Sequence, residues 1–196
     1  MRILKTKKIK NMLELYFEDG STVSIYEEDY YKMNLYEVDE FNYDDILRLK
    51  DITDEKFARA YAIKLILYKK RTKKEIESKL TDKGIKVDII NKVVQKLEED
   101  GYIDDFSYAT KLVQKLRLKN KSRKQVELEF KLRGLEHLGD LIDSYGSDYE
   151  MAKKLFDKKF KDKDLNDEKI KFKVYNFFRS KGFSNEVIKN FLILDK

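Results

Sequence analysis

One signature recurs three times along the chain, and this repetition constrains the fold more than any other feature. Each copy consists of two apolar residues four positions apart, then a basic residue, a glycine and one more apolar residue. The three glycines, Gly84, Gly134 and Gly182, lie 50 and 48 residues apart. The residues that complete the copies are Ile76, Leu80, Lys83 and Ile85, then Val126, Phe130, Arg133 and Leu135, then Val174, Phe178, Lys181 and Phe183. A repeat of this period is typical of stacked helical units.

Each copy of the signature has the features of a helix end. Apolar residues four apart lie on one helical face, a basic residue complements the negative end of the helix dipole, and glycine readily adopts the left-handed conformation that closes a helix. Helix starts are marked by hydroxyl residues with an acid or amide three positions later, the spacing of a capping box. These pairs are Thr72 with Glu75, Ser122 with Gln125, and Ser147 with Glu150. With the apolar-periodic segment after each glycine, the pattern predicts three helices in each of three units.

The first 50 residues follow a different pattern. Met12–Phe17 and Thr22–Tyr26 are rich in β-branched, aromatic and aliphatic residues and flank an Asp-Gly turn, which predicts a β-hairpin. Ile3–Ile9 is a candidate third strand, and residues 27–50 are interpreted as two short helices. We therefore expect a mainly α protein with an N-terminal extension over 1–52 and three-helix repeats over 53–103, 104–146 and 147–196.

Charge is unevenly distributed along the chain. Its 43 Lys and Arg exceed its 37 Asp and Glu by only six, which is weak evidence for a nucleic-acid partner. However, residues 64–86 hold 9 basic and 3 acidic residues, whereas residues 88–105 hold 2 basic and 6 acidic ones. If the units stack in one orientation, equivalent basic helices align into an edge that could neutralise phosphates. The alternative is that these helices simply present ordinary solvated faces.

Ten basic residues near helix junctions are the predicted contacts to DNA or to an acidic protein surface, on charge alone. The densest group occupies residues 69–74, where side chains can fan outward. The candidates are Lys69, Lys70, Arg71, Lys73 and Lys74 in the first unit, and Arg117, Lys119, Lys121, Arg123 and Lys124 in the second.

No catalytic or metal-binding pattern stands out. Cysteine is absent and His137 is the only histidine, so a zinc site would need carboxylates almost alone. The isolated glycines do not form a phosphate-binding loop. Asp104 and Asp105 could suggest a magnesium pair, but they directly precede a helix, and capping its N-terminus is the favoured role. We expect no enzymatic activity and no cofactor.

Membrane and export signals are also missing from the sequence pattern. No apolar run approaches the roughly 18 residues needed to span a bilayer, and the first residues lack the apolar core of a signal peptide. A cytoplasmic protein without a membrane partner is the expectation.

The residues singled out above resemble the RecX family, regulators of the bacterial recombinase RecA. The similarity runs from about Asp54 to Leu192, and one departure is residues 120–123, where the family often has a glycine. The motifs that resemble the family's repeats are Arg71-Thr72-Lys73-Lys74-Glu75-Ile76, Lys79-Leu80-Thr81-Asp82-Lys83-Gly84, Gly101-Tyr102-Ile103-Asp104-Asp105-Phe106, Arg133-Gly134-Leu135 and Lys181-Gly182-Phe183-Ser184.

The resemblance implies three tandem three-helix units in an elongated, curved array, and a regulatory function in DNA repair, recombination and the SOS response. The protein would lie in the groove of the RecA–DNA filament and modulate ATP hydrolysis, filament growth and strand exchange. Direct binding to single- or double-stranded DNA is also associated with the family. The family supplies no contact residue for the numbered positions here.

Two other functions stay open. Three-helix units with basic helices also resemble helix-turn-helix modules, which would make the chain a stand-alone DNA-binding protein. The third hypothesis is a protein-interaction scaffold that is indifferent to DNA. Charge reversal within residues 69–74 separates the first two hypotheses from the third, because only they depend on this basic cluster.

Overall fold

The computed structural model of the chain describes residues 1–193 and divides into two compact units. The first unit comprises Met1–Lys69 and Ile76–Tyr102, and the second comprises Lys70–Glu75 and the chain from Ile103 onward. The predicted architecture, mainly helical with a small N-terminal sheet, is confirmed.

An antiparallel three-stranded sheet opens the first unit, and it confirms both the predicted hairpin and its third strand. Gly20 has a φ of +82° in the turn between the second and third strands, a conformation that glycine adopts without a side-chain clash. Alternate residues of the middle strand are buried, and Leu15 shares a hydrophobic cluster with Leu49 of the long helix that follows. The strands are β1 (Ile3–Ile9), β2 (Met12–Phe17) and β3 (Thr22–Tyr26), paired in that order.

The segment after the sheet departs from the prediction. Helix α1 (Glu27–Lys32) is short, and a 3₁₀ turn follows, but α2 (Tyr43–Tyr68) then runs without a break. Thr53, near which the first repeat was expected to begin, lies inside α2, where its hydroxyl donates to the carbonyl oxygen of Leu49 at 3.0 Å. A threonine satisfied in this way continues a helix instead of capping a new one. Of the two short helices predicted over residues 27–50, α1 is therefore confirmed, whereas the second prediction is wrong because that segment is the start of the long α2.

The repeated signatures lie at the ends of the middle helices, as predicted. Gly84, Gly134 and Gly182 have φ values of +76°, +72° and +82°, so all three occupy the left-handed region. The helices from the first repeat onward are α3 (Lys73–Thr81), α4 (Val87–Glu99), α5 (Asp105–Leu118), α6 (Arg123–Arg133), α7 (Asp140–Asp143), α8 (Asp148–Lys159), α9 (Glu168–Ser180) and α10 (Asn185–Ile193).

The second unit is built around the repeated apolar positions. Val126 and Phe130 of α6 share a buried cluster with Val174 and Phe178 of α9. The last helix of the second repeat is reduced to the single turn of α7, which follows a 3₁₀ turn at Glu136–Leu138. The predicted three-helix pattern is therefore present, with one member much shorter than the others.

Within the stretch 120–123, where the resemblance leads us to expect a glycine, Asn120 adopts the backbone conformation that glycine would favour. Its φ is +47°, in the left-handed region, in the turn between α5 and α6. Asparagine tolerates this region better than most residues, because its short polar side chain can bond locally. The turn before α6 therefore forms without a glycine.

Candidate nucleic-acid and protein interface

The starts of two middle helices carry buried hydroxyl groups that bond twice. Ser122, the N-cap of α6, accepts from the backbone N–H of Gln125 at 3.3 Å and donates to the carbonyl oxygen of Lys181 at 2.9 Å. Ser122 is fully buried, and so is Thr72, which precedes α3. Each hydroxyl thus caps its own helix and holds the end of a later one.

Thr72 repeats this arrangement within the second unit. Its hydroxyl accepts from the N–H of Glu75 at 3.3 Å and donates to the carbonyl oxygen of Arg133 at 2.9 Å. The Glu75 carboxylate accepts from the Thr72 N–H at 3.4 Å, so the predicted capping box is complete here. At Ser122 only half of the box forms, because the side-chain oxygen of Gln125 is buried without a hydrogen-bond partner among the described residues.

At each of these two helix starts, an aspartate from the start of a later helix accepts a further backbone hydrogen bond. Asp105 accepts from the backbone N–H of Lys73 at 2.9 Å, and Asp148 accepts from that of Arg123 at 2.6 Å. These N–H groups open α3 and α6, where helical donors lack partners within the helix and negative charge is favoured. Burial raises the pKa of the Asp148 carboxyl above its ordinary value. Asp104 caps its own helix by accepting from the N–H of Ser107, which confirms the predicted capping role.

The first group of predicted basic contacts is partly engaged in internal contacts. Lys69 and Lys70 are exposed, whereas Arg71 and Lys73 are half-buried. The Arg71 Nε is buried and has no hydrogen-bond partner within the part of the chain that the structure describes. The Lys74 ammonium donates to the carbonyl oxygen of Lys131 at 3.2 Å. The two residues of this group that are most available for a partner are therefore Lys69, in the first unit, and Lys70, in the second.

The second group of predicted basic contacts also contains both a paired residue and exposed residues. The Arg123 guanidinium pairs with Asp143 and, at 3.3 Å, with Glu127, so its charge is largely compensated. The side chains of Arg117, Lys119 and Lys124 are exposed.

Lys121 is half-buried, and its backbone N–H donates to the carbonyl oxygen of Leu116 in α5. Its carbonyl oxygen accepts from the buried hydroxyl of Tyr145 at 2.6 Å. Burial is the main cause that raises the pKa of Tyr145 to about 12, so this hydroxyl stays a donor at neutral pH.

A basic cleft of about 320 Å³ lies in the second unit, and it includes two of the predicted residues. Lys119 and Lys121 line it from the turn between α5 and α6. Three further lysines and one aromatic ring come from α8 and the end of α9, and they are Lys158, Lys159, Lys181 and Phe177. These four were not predicted from the sequence, because Lys181 was interpreted only as a helix-end residue and the others lie far away along the chain.

Three lysines of the first unit contrast with those of the cleft. Lys86 pairs with Asp51 at 2.6 Å, Lys92 pairs with Glu55 at 2.6 Å, and Lys96 pairs with Glu99. None of the five cleft lysines has a carboxylate partner among the described residues. The positive charge of the cleft is therefore available to a ligand.

Within residues 1–193, no group of three or more His, Cys, Asp or Glu side chains could hold a metal ion. In the same part of the chain, no helix combines the length and apolar character required of a membrane span. The fold and the charged surface define a mainly helical protein of tandem three-helix units with a basic cleft.

Comparison with known proteins places this architecture in one family. Residues 58–97 match the first three-helix domain of RecX, and residues 147–192 match its third three-helix domain. The regulatory protein RecX of Finegoldia magna is 28% identical over 194 residues, covering 93% of this chain and 92% of that protein. The RecX of Chlorobium phaeobacteroides is 31% identical over 149 residues, covering 71% of this chain and 94% of that protein.

Solved structures agree with this placement. A crystal structure of a regulatory protein RecX superposes with a TM-score of 0.62 at 20% identity, covering 96% of this chain and 97% of that one. The structure of RecX from Lactobacillus salivarius gives a TM-score of 0.57 at 26% identity, covering 72% of this chain and 96% of that one. The chain belongs to the RecX family of regulatory proteins.

Proposed function

We propose that this protein is a non-enzymatic regulator of homologous recombination and DNA repair that acts in the cytoplasm by binding the RecA–DNA filament. It would occupy the filament groove and inhibit ATP hydrolysis, filament growth and strand exchange. The observation that carries the proposal is membership of the RecX family over most of the chain. The basic cleft supports it, because a filament wound on DNA offers phosphates and acidic protein surface to unpaired lysines.

The test is a recombinase assay with two matched variants. Neutralising Lys69 and Lys70 together as Lys69→Gln and Lys70→Gln removes two exposed charges that have no carboxylate partner among the described residues. The control removes two charges that are already paired, as Lys92→Gln and Lys96→Gln. We expect the first variant to inhibit the recombinase ATPase less than the parent does and the control to inhibit like the parent. If both variants match the parent, residues 69 and 70 do not contribute to the filament contact.

The second candidate is a DNA-binding protein that needs no recombinase. The observation in its favour is the same cleft, since a lysine-lined groove can neutralise phosphates on its own. A steep salt dependence of binding to bare DNA, with no added effect of recombinase, would favour this candidate. A protein-interaction scaffold, the third hypothesis, predicts no response of either assay to neutralisation of lysines.

A further inference from the structure

The lysines of the cleft converge from elements that are distant in sequence. Lys119 and Lys121 precede α6, Lys158 and Lys159 end α8, and Lys181 follows α9. Like charges brought together without acidic neighbours repel one another, and no carboxylate among the described residues lines this cavity. An arrangement of this kind gains free energy when an anion enters, because the ligand relieves the repulsion.

Phe177 holds one of these charges in place. The Lys159 ammonium lies 3.9 Å from the centre of the Phe177 ring, and the Lys181 ammonium lies 5.7 Å from it. The ring itself is fixed by edge-on contacts with Phe160 and Phe178, at centroid distances of 5.3 and 5.2 Å. A cation over an aromatic face loses part of its side-chain freedom before a ligand arrives, which lowers the cost of binding.

The composition of the lining indicates the class of ligand. Arginine binds carboxylate or phosphate through a planar, bidentate fork, whereas lysine is a common phosphate ligand that acts as a point charge and tolerates many orientations. All the charged residues that line the cleft are lysines. The walls between them include Leu155 and Phe177, which can contact sugar or base rather than water.

From these observations we infer that the cleft binds the phosphodiester backbone of a nucleic-acid single strand, with Lys158, Lys159 and Lys181 as the principal phosphate contacts. The inference extends the proposed function, and it rests on that proposal for where the strand comes from in the cell. The binding itself is a property of this chain alone and is measured without recombinase.

The experiment is fluorescence anisotropy of a labelled oligothymidylate with the full-length protein across a range of salt concentrations. The cleft variant combines Lys158→Ala, Lys159→Ala and Lys181→Ala. The control removes the same charge from three exposed lysines of the third repeat that do not line the cleft, as Lys153→Ala, Lys163→Ala and Lys189→Ala. We expect the cleft variant to bind on the order of tenfold more weakly at low salt, with a salt slope shallower by about 0.7 for each phosphate that is no longer neutralised. The control should stay within about threefold of the parent, because its charges lie outside the cleft.

Phe177→Leu gives a second, independent measurement. It keeps an apolar side chain but removes the ring over which the Lys159 and Lys181 ammonium groups lie. We expect a decrease of about two- to fivefold in affinity with an unchanged salt slope, because the number of phosphates neutralised stays the same. Circular dichroism and thermal melting confirm that each variant is folded before binding is compared.

Several outcomes would overturn the inference. If the cleft and control variants weaken equally, general charge explains the binding and the cleft has no special role. If inorganic triphosphate competes as well as the oligonucleotide at equal phosphate concentration, the cleft takes isolated polyphosphate and not a strand. If the cleft variant binds the strand like the parent but no longer inhibits recombinase, the cleft contacts an acidic protein surface. If the unmodified protein binds the strand in this cleft but does not change the recombinase ATPase, only the proposed function is contradicted.

Discussion

The hydroxyl of Ser122 donates a 2.9 Å hydrogen bond to the carbonyl oxygen of Lys181, 59 residues further along the chain. Thr72 makes the equivalent bond to Arg133, at the same distance. In both cases the acceptor is the basic residue directly before the glycine that ends a middle helix. The start of one middle helix therefore holds the end of the next, and the repeat seen in the sequence is also a repeat of hydrogen bonds.

Removal of the Ser122 hydroxyl should be unusually costly. Ser122→Ala deletes an N-cap, worth about 1 kcal/mol, and leaves the partly buried Lys181 carbonyl without its donor, which costs about 1–3 kcal/mol. We expect the free energy of unfolding to fall by about 2–4 kcal/mol, measured by urea denaturation followed by circular dichroism.

Ser147→Ala is the matched control for this substitution. Ser147 caps α8 by accepting from the N–H of Tyr149 at 3.1 Å, but it is exposed and donates no bond to a later helix among the described residues. Its replacement should cost only about 1 kcal/mol. Equal losses at residues 122 and 147 would show that the bond to Lys181 adds nothing to stability.

The three repeated glycines should differ in their tolerance of alanine. All three have a positive φ, which costs an L-residue about 1–2 kcal/mol. A methyl group at Gly182 would also lie 2.7 Å from the Ser122 oxygen, and one at Gly134 would lie 2.7 Å from Lys74 Cβ, whereas one at Gly84 would meet nothing within 4 Å. Gly134→Ala and Gly182→Ala should therefore destabilise the protein by about 1 kcal/mol more than Gly84→Ala, a difference visible as a lower Tm. If all three variants have the same Tm, the close approaches at Gly134 and Gly182 are refuted.

Asp148 should make stability depend on pH in the acid range. Burial raises its pKa in the folded protein, so the folded state holds a proton more tightly than the unfolded state does. Between the ordinary pKa of 3.8 and the raised value, this residue therefore contributes stability that is lost as the pH rises. Asp148→Asn keeps an acceptor for the Arg123 N–H but cannot ionise.

The measurement for Asp148 is the difference in unfolding free energy between the asparagine variant and the parent as a function of pH. The difference should move in favour of the variant as the pH rises through the raised pKa, and then become constant. Asp148→Ala, which lacks the acceptor, should be less stable than Asp148→Asn at every pH by about 1 kcal/mol. A flat difference across the acid range would mean that burial does not perturb this carboxyl group.

Local features of this fold were predictable because neighbouring residues determine them. The Asp-Gly hairpin, the glycine helix ends and the Thr72–Glu75 capping box all follow from residues within a few positions of one another. The continuity of α2 through Thr53 was not predicted. The Thr53 hydroxyl bonds back to the carbonyl oxygen of Leu49, so this residue continues the helix.

Contacts between distant segments could not be derived in the same way. The stacking of the repeats brings Asp105 to the start of the helix that begins at Lys73. It also brings Lys121 and Lys159 to the same cleft. In the sequence, basic residues can be ranked only by local density, which favoured the group at 69–74. The structure adds a second criterion, whether a carboxylate lies nearby, and by this criterion the five cleft lysines become candidates alongside Lys69 and Lys70.

The most direct test of the proposed function is the single-stranded-DNA-dependent ATPase of the cognate RecA recombinase, measured during titration with this protein. We predict inhibition at well below one molecule per recombinase subunit, accompanied by shorter filaments in electron micrographs. Unchanged ATP hydrolysis and filament length over a wide range of concentrations, up to a molar excess of this protein, would contradict the proposed function.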